Sequence, residues 1–201
     1  MKHITVLASG WGSNLEAIME AEERGDIAGK VVLVISDRSD AQALKRAENR
    51  NIKNLFLDPK EYARREDYDR ALVDLIKAAG TDLVVLAGFM RLLSPLFVSA
   101  FPMKIMNIHP SLLPAFPGNN GVEQAFAYGV KVTGCTVHFV DEALDNGPVI
   151  LQEAVPVIQR ETIKTMHQRI HAAEHRLYPI AIDLFCRDKL KVEGRRCFII
   201  E

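Results

Sequence analysis

Two short runs constrain this chain most: Val31-Val32-Leu33-Val34-Ile35 and Leu83-Val84-Val85-Leu86-Ala87. Side chains alternate across a strand, so a half-buried strand reads apolar, polar, apolar. These runs are apolar at every position and need cover on both faces. That is the condition of central strands in a parallel sheet flanked by helices. Strands are expected at Ile4–Ala8, Val31–Ser36, Asn54–Leu57, Leu83–Ala87, Ile105–Ile108, Val132–Val140 and Val149–Val155. Helices are expected at Ser13–Arg24, Ala41–Arg50, Glu61–Ala79, Ser94–Ala100, Val122–Tyr128 and Thr162–Arg187. In the last helix Ile163, Met166, Ile170, Ala173, Leu177 and Leu184 form a core stripe, and Pro179 inside it should produce a kink. Lys189–Val192 and Arg196–Ile200 read as a closing hairpin. The alternation predicts an α/β fold, a Rossmann-like, mostly parallel twisted sheet with helices on both faces. Ligands are expected at the carboxyl ends of its strands.

A length of 201 residues suits one well-buried domain, here 1–201. The formal charge of -1 gives no pointer to nucleic acid or an anionic membrane, and no apolar run approaches the ~18 residues of a membrane span. The apolar start Ile4-Thr5-Val6-Leu7-Ala8 runs straight into Ser9-Gly10-Trp11-Gly12, which reads as a strand and functional turn rather than a signal peptide. Cys135, Cys186 and Cys197 are odd in number and fit no zinc spacing. A reducing, cytoplasmic setting is expected.

Chemistry concentrates in a few stretches. Asn107-Ile108-His109-Pro110-Ser111-Leu112-Leu113-Pro114 follows the apolar Ile105-Met106, so Asn107 and His109 should share one face at a strand end. The two prolines should hold the exit loop extended. With Asp145 in Asp141-Glu142-Ala143-Leu144-Asp145-Asn146-Gly147-Pro148, an amide, an imidazole and a carboxylate can bind an oxygen and move a proton. That set suits acyl-type transfer without a covalent intermediate. The plainer alternative is a loop-capping histidine and a hairpin turn.

Ser9-Gly10-Trp11-Gly12-Ser13-Asn14 joins the first strand to the first helix. Glycines there let the backbone approach a ligand, and the helix start favours an anion. A plain turn capped by Ser13 or Asn14 is the alternative. No Gly-Lys-Ser/Thr follows, so this is not a Walker loop. Leu15 stands where a dinucleotide fingerprint needs its third glycine, leaving only Asp37 in favour of that reading. His171-Ala172-Ala173-Glu174-His175 matches the H-x-x-E-H zinc-hydrolase pattern. That rival lacks an evident third ligand, and a solvated helix face or a polar ligand contact explains the residues as well. His3, His138 and His167 are expected to be structural or exposed. Arg64, Arg65 and Arg91 are expected to be solvated, with Arg91 able to pair with a carboxylate at a cleft mouth.

Taken together, the chain resembles the folate-dependent phosphoribosylglycinamide formyltransferases of purine biosynthesis over nearly its whole length. The likeness rests on Ser9-Gly10-x-Gly12-Ser13-Asn14-Leu15, Leu86-Ala87-Gly88-Phe89-Met90-Arg91, Asn107 to Pro114, Gly134-Cys135-Thr136-Val137-His138-Phe139-Val140 and Leu144-Asp145-x-Gly147-Pro148. The Asn107–Pro114 motif with Asp145 is shared with methionyl-tRNA formyltransferase and formyltetrahydrofolate hydrolase. The glycine-rich loop and the length favour the glycinamide enzyme, and the hydrolase remains the alternative.

The resemblance implies a formyltransferase fold, its N-terminal half binding phosphate and its C-terminal half folate. It implies 10-formyltetrahydrofolate as co-substrate, glycinamide ribonucleotide as acceptor, no metal, and a monomer or homodimer. Asn107, His109 and Asp145 would be catalytic, with the Asp145 charge favouring the His109 imidazolium. Gly12, Ser13 and Asn14 would hold the phosphate, and His171 and Glu174 would contact the ribosyl glycinamide. Arg65, Met90, Arg91, Leu92, Leu93, Val140 and Asp141, with Asn107 and Asp145, would line the folate site. Trp11 and the pair Asn119-Asn120, where a histidine is expected, depart from the family pattern.

Overall fold

A computed structural model describes residues 1–201. In chain order the elements are β1 (Lys2–Leu7), α1 (Ser13–Glu23), β2 (Gly29–Ser36), α2 (Gln42–Glu48), β3 (Lys53–Phe56), α3 (Arg65–Ala78), β4 (Leu83–Leu86) and α4 (Pro95–Ala100). Then come β5 (Ile105–His109), α5 (Gly121–Tyr128), β6 (Val132–Phe139), β7 (Val149–Pro156), α6 (Ile163–Cys186), β8 (Leu190–Glu193) and β9 (Arg196–Ile199). One nine-stranded sheet runs in the order β3-β2-β1-β4-β5-β6-β7-β9-β8. β1 to β5 pair in parallel, whereas β5–β6, β6–β7 and β8–β9 pair antiparallel.

The chain winds outward in one direction from β1 to β3, then returns to place β4 on the other side of β1. This reversal is a topological switch point, the place where ligands bind in open sheets of this kind. The loops after β1 and β4 are joined there, the Ser9 N–H donating to the Gly88 carbonyl at 3.0 Å and the Ser9 hydroxyl accepting from the Met90 N–H at 2.9 Å.

The two-sided burial expected of the apolar runs is present. Ile4, Val6, Ala8, Leu83, Val85 and Ala87 pack with residues of α1, α2, α5 and α6. Leu7, Leu33, Ile35, Val84 and Leu86 pack on the opposite face with α3 and α4. Burial of each such side chain contributes ~1.5–3 kcal/mol relative to exposure. No helix is long and apolar enough to cross a membrane.

Two local expectations are corrected. The helix expected over Glu61–Ala79 is broken: Pro59–Glu61 forms a separate 3₁₀ turn capped by the Asp58 side chain, which accepts from the Lys60 N–H at 2.9 Å. Tyr62 and Arg64 are extended, and α3 begins only at Arg65. The exit loop after His109 is not held extended either. It turns back, with a cis peptide at Leu113-Pro114, so that the Phe116 carbonyl comes to lie against His109. α6 continues through Pro179, which has no N–H to offer the carbonyl of His175.

A buried polar contact ties α6 to the centre of the sheet. The Tyr178 hydroxyl, fully buried, is shared between the carbonyls of Leu86 at 3.0 Å and Met106 at 2.8 Å. Those carbonyls lie on β4 and β5. Tyr178→Phe is expected to leave the fold intact and lower unfolding free energy by about 1–2 kcal/mol. Urea denaturation checks this; an unchanged midpoint would mean the hydroxyl holds nothing.

Candidate active site

β5 carries the densest chemistry. Met106 and Ile108 face the helical core, so Asn107 and His109 share the other face, as the two-residue period requires. His109 is 5% exposed. Its Nε2 lies 2.8 Å from the Phe116 carbonyl oxygen. A carbonyl can only accept, so Nε2 carries a proton and Nδ1 is the nitrogen turned toward the acidic loop. Asp145 Oδ2 stands 3.3 Å from that Nδ1. The same oxygen accepts the Gly118 N–H at 2.7 Å, which fixes the carboxylate in place.

Asp145 reaches the ring from a loop built to present it. Its backbone has φ 49, in the left-handed region, which aspartate tolerates better than most residues. Asp141 braces the loop, accepting from the Ala143 N–H and the Asn146 side-chain amide, each at 3.0 Å. From outside, Arg195 in the β8–β9 turn donates to the Asn146 carbonyl at 2.7 Å.

Across the switch point, Gly12 caps α1 with φ 75, and no side chain closes the helix start. The alternative of a Ser13 or Asn14 cap is therefore absent. A Cβ on Gly12 would lie 2.9 Å from both Cα and Cβ of Ala43, so the position needs glycine for conformation and for space. Arg46 steadies the loop, donating to the Trp11 carbonyl at 3.0 Å and pairing with Glu16 at 2.7 Å. The Trp11 side chain is 68% exposed, under the Arg46 guanidinium.

Asn14 instead reaches α6. Its amide donates to Glu174 Oε2 at 3.1 Å, and His171 Nδ1 lies 2.8 Å from the same oxygen. Glu174 is 3% exposed; a buried carboxylate needs such partners. His167, His171 and His175 stack in sequence along the helix, but no group of three metal-capable side chains converges there or elsewhere. The zinc reading lacks the geometry it needs.

The other expected folate residues are spread over the start of α3, the segment after β4 and the segment after β6. Met90 and Leu92 are exposed, while Leu93 and Val140 pack against the α3–α4 core. Arg91 stacks over the Tyr68 ring at 4.8 Å rather than pairing with a carboxylate. Arg65 lies at the start of α3, 3.9 Å from Glu66. Arg64 pairs with Asp67, and His167 with Glu123. Asp141 is half-buried and accepts one hydrogen bond on each carboxylate oxygen from within its own loop.

Against this geometry, the formyl transferase family matches residues 2–182. The chain belongs to the formyl transferase family.

Relatives and structures agree with that membership. The chain is 44% identical over 197 residues to a phosphoribosylglycinamide formyltransferase of Escherichia coli, covering 98% of this chain and 93% of that one. It is 42% identical over 200 residues to the trifunctional purine biosynthetic protein adenosine-3 of Bos taurus, covering 98% of this chain but only 20% of that protein. It thus spans about a fifth of such relatives. The crystal structure of glycinamide ribonucleotide transformylase 1 from Symbiobacterium toebii superposes with TM-score 0.98 at 51% identity, covering all of this chain and 95% of that one.

In this formyltransferase several supporting residues were not foreseen. His138, expected to be structural or exposed, is 1% exposed and bonds to Asn107. Thr136 staples the returning loop, donating to the Ser111 carbonyl at 2.7 Å and accepting from the Leu113 N–H at 3.0 Å. Gln152 on β7 adds bonds to Thr136 and to the Leu113 carbonyl, each at 2.9 Å. The available signal was alternation: Thr136 and His138 are two apart in a strand whose other face, Cys135, Val137 and Phe139, is apolar.

The α6 histidines should titrate apart. Hydrogen bonding to Glu174 raises the His171 pKa above its ordinary value of 6.5, against burial. Burial lowers that of His175. The His171–Glu174 pair therefore contributes stability below pH 6.5, the unfolded value, and loses it as pH rises through the raised folded value. NMR titration is expected to show His171 as the later to deprotonate, and Glu174→Gln to bring it down. A His171 titration indifferent to Glu174→Gln would break this assignment.

Proposed function

We infer that this formyltransferase moves the formyl group of 10-formyltetrahydrofolate to the amine of 5-phosphoribosylglycinamide, a step of purine biosynthesis. The named relatives support this reading. The observation that carries the residue roles is the pairing of His109 Nδ1 with Asp145 at 3.3 Å, beside Asn107 on a buried strand end. Small-molecule substrates are then the partners, in a cytoplasmic protein acting as a monomer or homodimer.

The amine attacks the formyl carbon and a tetrahedral oxyanion forms. Asn107 donates an amide hydrogen to that oxygen. His109 acts through Nδ1, because Nε2 is committed to Phe116. As imidazolium it stabilises the oxyanion and supplies the proton that N10 of the folate takes as the C–N10 bond breaks. Asp145 favours that charged ring and accepts the proton released by the amine through water. Formyl and proton exchange places, so neither a covalent intermediate nor a redox partner is involved.

The open start of α1 suits the substrate phosphate: Gly12, Ser13 and Asn14 present backbone N–H groups without a side-chain cap. Glu174, held by Asn14 and His171, is the group for the ribosyl glycinamide. Met90, Arg91, Leu92, Leu93, Arg65 and the Val140–Asp145 loop frame the folate.

His109→Ala is expected to lower turnover by ~10²–10⁴-fold with little change in folate affinity. Steady-state kinetics following tetrahydrofolate release decides; near-parent turnover would remove His109 from the chemistry. Release without the ribonucleotide would instead indicate hydrolysis.

Phosphate binding energy should position the amine. The riboside lacking phosphate should therefore be a very poor acceptor in both KM and kcat. Gly12→Val should reproduce much of that loss, because valine at φ 75 is strained and meets Ala43. Equal use of riboside and ribonucleotide by the parent would reduce this loop to a turn.

A further inference from the structure

His138 belongs to neither the expected trio nor the expected substrate contacts, yet it is a more enclosed imidazole than His109, 1% against 5% exposed. It stands on β6 directly opposite Asn107 on β5. Its Nδ1 lies 2.8 Å from the Phe139 carbonyl oxygen. The carbonyl must accept, so the proton sits on Nδ1, and in the neutral ring Nε2 is a bare lone pair. That lone pair faces Asn107 Nδ2 at 3.2 Å. An imidazole lone pair can accept only from the nitrogen end of a carboxamide, so the contact fixes which end of Asn107 is which.

We propose that His138 is a positioning residue: by accepting one of the two Asn107 amide hydrogens, it leaves the other N–H free for the reacting oxygen. Without it, the Asn107 amide can turn over and offer a carbonyl oxygen to an oxyanion, which is repulsive. The proposal rests on the formyl-transfer reading and adds a residue to it.

The surroundings make the device depend on protonation. Around His138 lie Asp145 from the following loop, with Oδ1 3.8 Å from Nε2, His109 from β5, Asp141, and the Phe139 carbonyl on its own strand. Burial keeps the ring's pKa below its ordinary 6.5, against the opposing pull of Phe139 and Asp145. A proton on Nε2 would convert the acceptor into a donor. It would repel the Asn107 N–H and draw Asp145 away from His109. One protonation would thus disturb both the oxyanion donor and the His109 pair. In folding terms the depressed pKa contributes stability above pH 6.5, the unfolded value, and that contribution falls away as pH drops toward the lower folded value.

The test compares the parent with His138→Gln and His138→Leu. Gln reaches about as far as Nε2 and offers an amide oxygen that accepts but does not protonate in this range. Leu offers no acceptor. His138→Leu is expected to lose ~10²-fold in kcat, the scale of a misplaced reacting group, with KM for the ribonucleotide nearly unchanged. His138→Gln should recover most of that loss, and its kcat should hold to lower pH than the parent's. Parent-like kcat in His138→Leu would overturn the proposal. So would a His138→Gln variant that melts and binds folate normally but is as impaired as Leu.

A second measurement needs no turnover and no variant that must fold. Nitrogen NMR of the parent reads the His138 tautomer directly. The Nδ1–H form is expected, and an Nε2–H form would overturn the proposal whatever the activity. If the parent shows that tautomer but transfers no formyl group to the ribonucleotide, the functional reading fails while the His138–Asn107 contact stands.

Discussion

A buried carboxylate sets the frame for this site. Glu174 on α6 has been taken out of water, and an unpaired charge there would cost several kcal/mol. Its Oε2 is met by Asn14 at the start of α1 and by His171 one turn back along α6. The first contact joins residues 160 positions apart, so the helix that follows the glycine turn is placed by the last long helix. Tyr178, one turn further along α6, ties the same helix to the carbonyls of Leu86 and Met106. α6 thereby holds the start of α1 and the ends of β4 and β5 in one register.

The end of β5 is held by close backbone approaches and by side-chain hydrogen bonds. Gly121 leaves room for His109, since a Cβ there would lie 3.1 Å from both Nε2 and the Phe116 carbonyl. Gly147 is required more strictly, because a Cβ would overlap the Phe139 carbonyl oxygen. Such positions let the loops on either side of β5 close on the imidazole. Hydrogen bonds from Ser111, Thr136 and Gln152 keep the returning loop in place. The site is thus organised before any substrate arrives, which suits a reaction whose barrier is lowered by oriented donors rather than by a reactive side chain.

The sheet was legible because its signal is local: runs such as Leu83–Ala87 name their own burial on both faces. Asn107 and His109 were legible because polar side chains in an apolar strand end stand out. His138 was not, because its importance lies in register. Only pairing β5 against β6 puts it opposite Asn107, and no one-strand pattern carries that. The helix start expected at Glu61 was misplaced for a related reason: the Asp58-capped turn takes Glu61, and α3 begins only at Arg65. The H-x-x-E-H spacing on α6 shows the opposite limit of a local pattern. It describes one helix correctly, whereas a metal site needs a further ligand from elsewhere, and Glu174 is instead engaged with Asn14.

The strap from Arg195 to Asn146 joins residues 49 positions apart, and its donor lies beyond the stretch matched by the family, 2–182. Synthesis delivers a chain from its N-terminus, so β1, the glycine turn and β5 emerge well before the hairpin that carries Arg195. Glu174 also arrives late. A growing chain can therefore lay down most of its sheet while its acidic loop lacks its outer tie and its first helix lacks its anchor. The order of emergence separates building the sheet from fastening it: the outer tie of the acidic loop and the anchor of the first helix are among the last contacts to become available.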